Sequence, residues 1–474
     1  MDSRHVQPGL LYFADGGLGV YNLWDPFSPE QLVRYVDDFA DNGVGILSQM
    51  VFTGGTTKPG LFRPEHPDLT WWPDERLRDL IEPGSQPLDM LIRRAHQRGL
   101  QFFAKLRMSD WHEHRPEDRP FITAHPELHN PSWPTRPVLD YTHASVRQYH
   151  LAVIDELLRR FDIDGITLNF IRGWYCFPQE TGRGQHAVLT EFVRQIRRCL
   201  DEYGRSRGQK LALSVIVLPS FDLCEALGYD VTRWVEEGLI NYLSCGNGHY
   251  TDPNLDHQPW SRLCEDSDCR YFPMSGPVSG HPTALGYLRE VGDPLRLDEG
   301  PRHYWFRPLG MTWKADGRSY DDNYRVTLPR RVGARGEYRF RLPEDLARCG
   351  RCELFVHVLG LHSTGSGPQD QVMIAVNGVP IPSRSIRRVF YTDGRLEQFG
   401  APLPPYTSFW FELTAPPARC GQNRLAVELA GVELTGGGAD AGDTATLEEV
   451  EVVVMPRPVD RRPLHGRLSR NKVL

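Results

Sequence analysis

Between residues 10 and 290 the chain alternates short apolar runs with stretches in which apolar positions recur every three or four residues. Short apolar runs bounded by turn formers read as buried strands, and the 3.6-residue spacing reads as helices laying one face on a sheet. Seven strands follow: LLYFAD (10–15), VGILSQMVF (44–52), LQFFAKLRM (100–108), GITLNFI (165–171), LALSVIVL (211–218), INYLSC (240–245) and CRYFPM (269–274). Six helices lie between them: PEQLVRYVDDFADN, LDMLIRRAHQR, the segment 144–161, HAVLTEFVRQIRRCLDEYG, DVTRWVEEG, and a short one near Asp256 to Leu263. Strict alternation argues for a parallel sheet, so the expected fold is α/β, a (β/α)8-type TIM barrel. The eighth unit lacks room, because only about 25 residues separate Met274 from the aromatic segment HYWFRP, roughly half of what a helix, a strand and a closing helix need. Either HYWFRP is a surrogate eighth strand, or the last unit is absent.

After Pro301 the pattern changes to period two, in EYRFRLP, CELFVHVLGL, QVMIAVNGVPI, SFWFELTAP, NRLAVELAGVEL and ATLEEVEVVVMP. That is the pattern of an antiparallel, jelly-roll-like β-sandwich, with Asn377-Gly378 as a type I′ hairpin turn. GQNRLAVEL resembles the closing strands of jelly-roll modules appended to polysaccharide-degrading enzymes, so the expected organisation is a barrel over 1–300, a sandwich over 301–460 that the resemblance makes carbohydrate-binding-module-like, and a basic tail over 461–474. GGGADAGDTA (436–445) reads as a mobile loop.

The 474 residues exceed what one core usually organises, which agrees with two domains. No stretch reaches the roughly 18 apolar residues of a membrane span, and the N-terminus lacks the basic and apolar regions of a signal peptide. The expected location is the cytoplasm for the chain as written, or outside the cell if the true start lies upstream. The net charge of −7 offers no basic surface for nucleic acid. Nine scattered cysteines spell no disulfide framework, and one CxxC (Cys349, Cys352) beside the looser pair Cys264 and Cys269 is short of a four-ligand zinc site. GxSxG, P-loop, HExxH and dinucleotide motifs are all absent, so the sequence implies no cofactor.

Chemistry in such barrels sits at the C-terminal ends of the strands. Strand three ends in Arg107, Met108, Ser109, Asp110, Trp111 and His112, which puts a cation, a carboxylate, an indole and an imidazole together. Charged hydrogen bonds to hydroxyls and a flat apolar surface for a C–H face are what a sugar ring asks of a site. The competing reading is a surface loop with a structural Arg-Asp pair. Strand four, DIDGITLNFIR, enters through an Asp-Gly turn and ends in Asn169 and Arg172, followed by Trp174, Tyr175 and Phe177. Those aromatics equally suit core packing at the rim. Further candidates are Asp15 after strand one, Gln49 on strand two, Asp222 and Glu225 after strand five, and Asn247, His249 and Asp252 after strand six. Glycoside hydrolysis needs two carboxyl groups about 5 to 5.5 Å apart for retention, or about 6.5 to 9.5 Å for inversion. Asp110 and Asp15 make the expected pair, with Asp222 in reserve. Asp140 and Asp164 read as cap and turn residues, and Asn169 has no proton to give as an acid.

The segments FFAKLRMSDWH, VLDYTHASVRQYHLAVIDELLRRFDIDGITLNFIR, DVTRWVEEGLINYL and GYLREVGDP resemble, in that order, bacterial glycosyl hydrolase-like barrels of the family-10-like group. Members typically end strand three in Arg-Met-Asn-Asp, matched here by Arg107, Met108, Ser109 and Asp110, and carry Asp-Gly-Leu-Glu-Leu-Asp-Phe on strand four. Here Thr167 replaces the Glu and Asn169 the Asp. Members also place a helix and an Ala-Asp-Gly strand before GYLREVGDP, which this chain omits. The resemblance implies a glycoside hydrolase acting on a poly- or oligosaccharide through carboxylate acid/base chemistry, with Arg107, Trp111, His112, Asn169, Arg172, Trp174, Gln49, Asn247 and His249 around the sugar. The alternative is a non-catalytic carbohydrate-binding protein, a decayed hydrolase.

Overall fold

The computed structural model describes residues 9–14, 29–53, 56–57, 61–67, 70–71, 86–109, 120–132, 137–246, 252–274, 301–308, 314–315, 318–319, 324–362, 369–391, 405–433 and 443–456. Seven strands form one parallel sheet in chain order: β1 (Leu10–Ala14), β2 (Val44–Thr53), β3 (Gln101–Arg107), β4 (Gly165–Asn169), β5 (Ala212–Val217), β6 (Tyr242–Cys245) and β7 (Arg270–Tyr271). They coincide with the seven apolar runs. The crossovers include α1 (Pro29–Asp41), α2 (Pro87–Gln97), α3 (Ala144–Arg160), α4 (His186–Arg207), α5 (Val231–Glu236) and α6 (Gln258–Glu265).

The sheet curls, and side-chain contacts measure the curl. β3 and β6 are separated by two strands, about 14 Å in a flat sheet, yet the Phe103 and Tyr242 ring centroids lie 5.7 Å apart. Leu11, Ile46, Phe103, Ala212 and Tyr242, from five strands, form one cluster. One layer further along, Ser48 of β2 donates to Thr167 Oγ1 of β4 at 2.7 Å, across the intervening strand. These positions line the concave side of a TIM-type barrel wall, and the alternate residues, such as Leu47, Phe102 and Leu168, are buried toward the helices.

Gly165 corrects the Asp-Gly turn expected at the entry to strand four. It is already the first residue of β4 and is absent from the positive-φ glycines. Its need is steric: a Cβ there would stand 2.6 Å from the Ala212 carbonyl oxygen and 3.0 Å from the Phe103 ring. The preceding Asp164 does shape the entry, accepting from the Phe102 N–H at 2.8 Å and contacting His96 Nε2 at 2.8 Å.

By its contacts the chain divides into two compact units, one of Met1–Thr251 with Leu255–Gly292, the other of Asp252–Asn254 with Asp293–Leu474. In the second, one sheet runs β8 (Arg302–Phe306), β17 (Thr444–Pro456), β11 (Cys349–Leu359), β15 (Tyr406–Glu412) and β14 (Arg387–Tyr391), with β9 (Val326–Pro329) also on β17. The other sheet runs β10 (Arg335–Leu342), β16 (Gly421–Gly431), β12 (Gln371–Val376) and β13 (Val379–Pro380). A shared core of Phe306, Phe340, Leu354, Val356, Ile374, Phe409, Val427 and Val452 joins the two sheets into a sandwich. The β12–β13 hairpin turns on Asn377 (φ 49°) and Gly378 (φ 82°), the expected type I′ geometry. HYWFRP is no surrogate barrel strand: it becomes β8 and pairs antiparallel with β17, so its period-two alternation serves the sandwich. Residues 434–442 and the tail 457–474 lie outside the described residues.

Candidate functional site

Parity along the curled sheet decides which side chains reach the barrel interior. On β3 it sends Phe103, Lys105 and Arg107 inward; on β4, Gly165, Thr167 and Asn169; on β5 and β6, Ser214, Ile216 and Ser244. Above the apolar floor the interior is therefore polar. Ser48, Lys105, Thr167, Ser214 and Ser244 have no solvent exposure, and the Ser214 and Ser244 hydroxyls have no hydrogen-bond partner among the described residues. The Lys105 ammonium reaches past β2 to within 5.9 Å of the Phe13 ring centre on β1.

At the C-terminal rim, Arg107 and Asn169 are register partners on adjacent strands, both buried. The Asn169 side chain accepts from the Ile171 N–H at 3.0 Å, an Asx turn that aims the following loop, while its carbonyl accepts from the Met108 N–H at 3.0 Å. Arg172 is half-buried, and Trp174 and Tyr175 are buried. Their loop is tied down on several sides. Tyr229 donates to the Trp174 carbonyl, and Asn130 Nδ2 (3.1 Å) and the Ser109 hydroxyl (3.4 Å) donate to that of Tyr175. Rim packing thus accounts for much of what these aromatics do.

Gln49 faces the other way, toward α1, where it accepts from the Tyr35 hydroxyl at 2.6 Å. Asp222 is exposed in the first turn of the short helix Phe221–Ala226. Asp252 belongs to the second unit, where it is buried and accepts from the Tyr324 hydroxyl. Asp15, Asp110, Trp111, His112, Asn247 and His249 lie outside the described residues. Among described inward positions on the seven strands no Asp or Glu occurs.

A buried group that motif reading passes over supports the tip of β3. The Tyr141 hydroxyl lies 2.5 Å from the Met108 carbonyl and 2.9 Å from His150 Nε2, and His150 Nδ1 lies 2.9 Å from the Val146 carbonyl. Complete burial pushes the His150 pKa down to about 4, so its ring is neutral at pH 7. The same burial drives the Cys176 thiol up to about 12, leaving it unreactive in the same loop. The signal was present in VLDYTHASVRQYH, where Tyr141 precedes the helix and His150 falls on its apolar stripe.

No protein-family model and no curated protein matches the chain. Solved structures similar to it include the cycloisomaltooligosaccharide glucanotransferase of Paenibacillus sp. complexed with cycloisomaltoheptaose, at 9% identity and TM-score 0.39, covering 94% of this chain and 58% of that one. The alpha-amylase of Geobacillus thermoleovorans complexed with acarbose gives 12% identity and TM-score 0.31, covering 74% and 90%. The PgaB (BpsB) glycoside hydrolase domain of Bordetella bronchiseptica gives 14% and 0.32, covering 54% and 79%. The chain thus spans 58% of the length of the glucanotransferase.

Proposed function

We propose that the barrel acts on an oligo- or polysaccharide at the C-terminal rim of β3 and β4. The reading rests on one observation: Arg107 and Asn169, register partners facing inward, stand above a hydroxyl-lined interior. A guanidinium, an amide and several hydroxyls supply the donors and acceptors that a polyhydroxylated ring requires, and Arg107 adds charge-assisted strength. In this reading Asp110, three residues beyond Arg107, and Asp15, just past β1, are the acid and base of a glycoside hydrolase, with Asp222 in reserve. Trp111, His112, Arg172 and Trp174, with Asn247 and His249 from the loop after β6, flank the sugar.

The lack of a carboxyl group among the described inward positions favours a second reading, a barrel that binds sugar without cleaving it. Reducing-sugar release from a polysaccharide panel by the native chain, Asp110→Asn and Asn169→Asp decides between them. Release by the native chain that drops at least about 100-fold in Asp110→Asn is the expected result, the scale of a lost acid/base group. Equal release by both would remove Asp110 from the mechanism. Activity only in Asn169→Asp would make the natural chain the non-catalytic binder.

A further inference from the structure

The outer face of the sandwich's first sheet carries a cluster of metal-ligand type. Glu449 and Glu451 alternate on β17, so both side chains leave the sheet on the face opposite the core residues Val450 and Val452. On the neighbouring strand β11, His357 pairs in register with Glu449, and a bulge follows at once, between His357 and Val358. On the other neighbour, β8, His303 lies diagonally across from Glu451. Three adjacent strands thus bring imidazole and carboxylate groups to one spot.

One ligand atom from each of His357, Glu449 and Glu451 lies within 4.8 Å of the others. The closest pair is His357 Nε2 to Glu451 Oε1 at 2.8 Å, and the second Glu451 oxygen is 2.7 Å from His303 Nε2. His357 is 7% exposed, and its other nitrogen, Nδ1, is buried with no partner among the described residues. The Tyr406 ring stands edge-on to the imidazole at 5.2 Å and fixes its plane, and Trp305 Nε1 donates to Glu449 at 3.4 Å. Ligands around a first-row ion with bonds near 2.0–2.2 Å sit roughly 3–4 Å from one another, so the His357–Glu451 pair has to open slightly from 2.8 Å while Glu449, within 4.8 Å of both, closes in.

We propose that His357, Glu449 and Glu451 bind a divalent first-row metal ion of the zinc type, with His303 and Trp305 orienting the carboxylates from outside. One imidazole and two carboxylates suit such an ion better than calcium, which takes oxygen ligands alone. Three protein ligands leave a fourth position for water or an external ligand. The site is independent of the barrel's proposed chemistry, since all five residues belong to the sandwich unit.

The test uses the full chain, stripped with EDTA, dialysed against Zn²⁺ and measured for bound metal, with Co²⁺ absorption as a second readout of coordination. Roughly one zinc per chain is expected. His357→Ala and Glu451→Gln should both abolish it, the second preserving shape in case the first unfolds. His303→Ala should weaken binding roughly 10- to 100-fold, the scale of a lost outer partner. The competing thiols are separated by the double variant Cys349→Ser, Cys352→Ser, which should keep the ion. Failure of the stripped native chain to take up zinc overturns the proposal. So does loss of the ion in the cysteine variant, or undiminished binding in Glu451→Gln.

Discussion

His150 shows how far one side chain can tie stability to pH. Its pKa is near 6.5 in an unfolded chain and about 4 here, so the folded state holds the neutral ring. The stabilisation is complete above pH 6.5 and is lost as acid protonates the unfolded state, at about 1.4 kcal/mol per pH unit down to pH 4. Urea unfolding at pH 7 and pH 5 should find the advantage of the native chain over His150→Gln reduced by about 2 kcal/mol at the lower pH. An advantage independent of pH would mean that the ring binds a proton as readily in the fold as in the unfolded chain, and would refute the lowered pKa. Asn169 carries a different lesson. Sequence reading treats it as a missing carboxylate, whereas the structure gives its amide oxygen a backbone N–H to hold, which a carboxylate oxygen would do equally well. Occupancy by Asn therefore tells less about lost catalysis than the motif comparison suggests.

At the scale of elements, the barrel strands were legible because both faces of a parallel sheet are covered, which writes them as unbroken apolar runs. β9 and β14 escaped reading: Val326–Pro329 is short, and Arg387–Tyr391 at the end of its sheet is mostly exposed and has no clear alternation of burial. Of the two readings open for HYWFRP, position in the chain suggests the surrogate barrel strand, which fails because its partner, β17, lies nearly 150 residues onward; His303 and Glu451 are 148 apart. The His357, Glu449 and Glu451 cluster was illegible for the same reason, since only strand pairing brings it together. Gly165 could be seen in the sequence but not explained by it. Gly165→Ala should cost about 1–3 kcal/mol, because the Ala212 carbonyl is backbone and cannot step aside. Gly184→Ala, where nothing lies within 4 Å of the new methyl, is the matched control. Equal urea midpoints for the two variants would refute the steric account.

For the molecule as a whole, the informative segment is the three-residue excursion Asp252–Asn254, which leaves the barrel sequence between β6 and β7 and belongs to the sandwich unit. Asp252 accepts from the buried Tyr324 hydroxyl, and Asn254 brackets β10, donating to the Arg339 carbonyl at 3.1 Å and accepting from the Arg341 N–H at 2.7 Å. Asp252→Ala removes an acceptor from a buried hydroxyl and should destabilise the full chain by about 1–3 kcal/mol, read as a lowered urea midpoint. Unchanged stability with lost activity would instead return Asp252 to the candidate site. The same segment sets a timetable for synthesis. Asp252 emerges 72 residues before Tyr324, and Asn254 85 to 87 residues before Arg339 and Arg341. At roughly 5–20 residues per second the ribosome keeps these hooks waiting about 4 to 17 s. During that interval β7 is synthesised, so it has the opportunity to pair with β6 before either hook meets its partner.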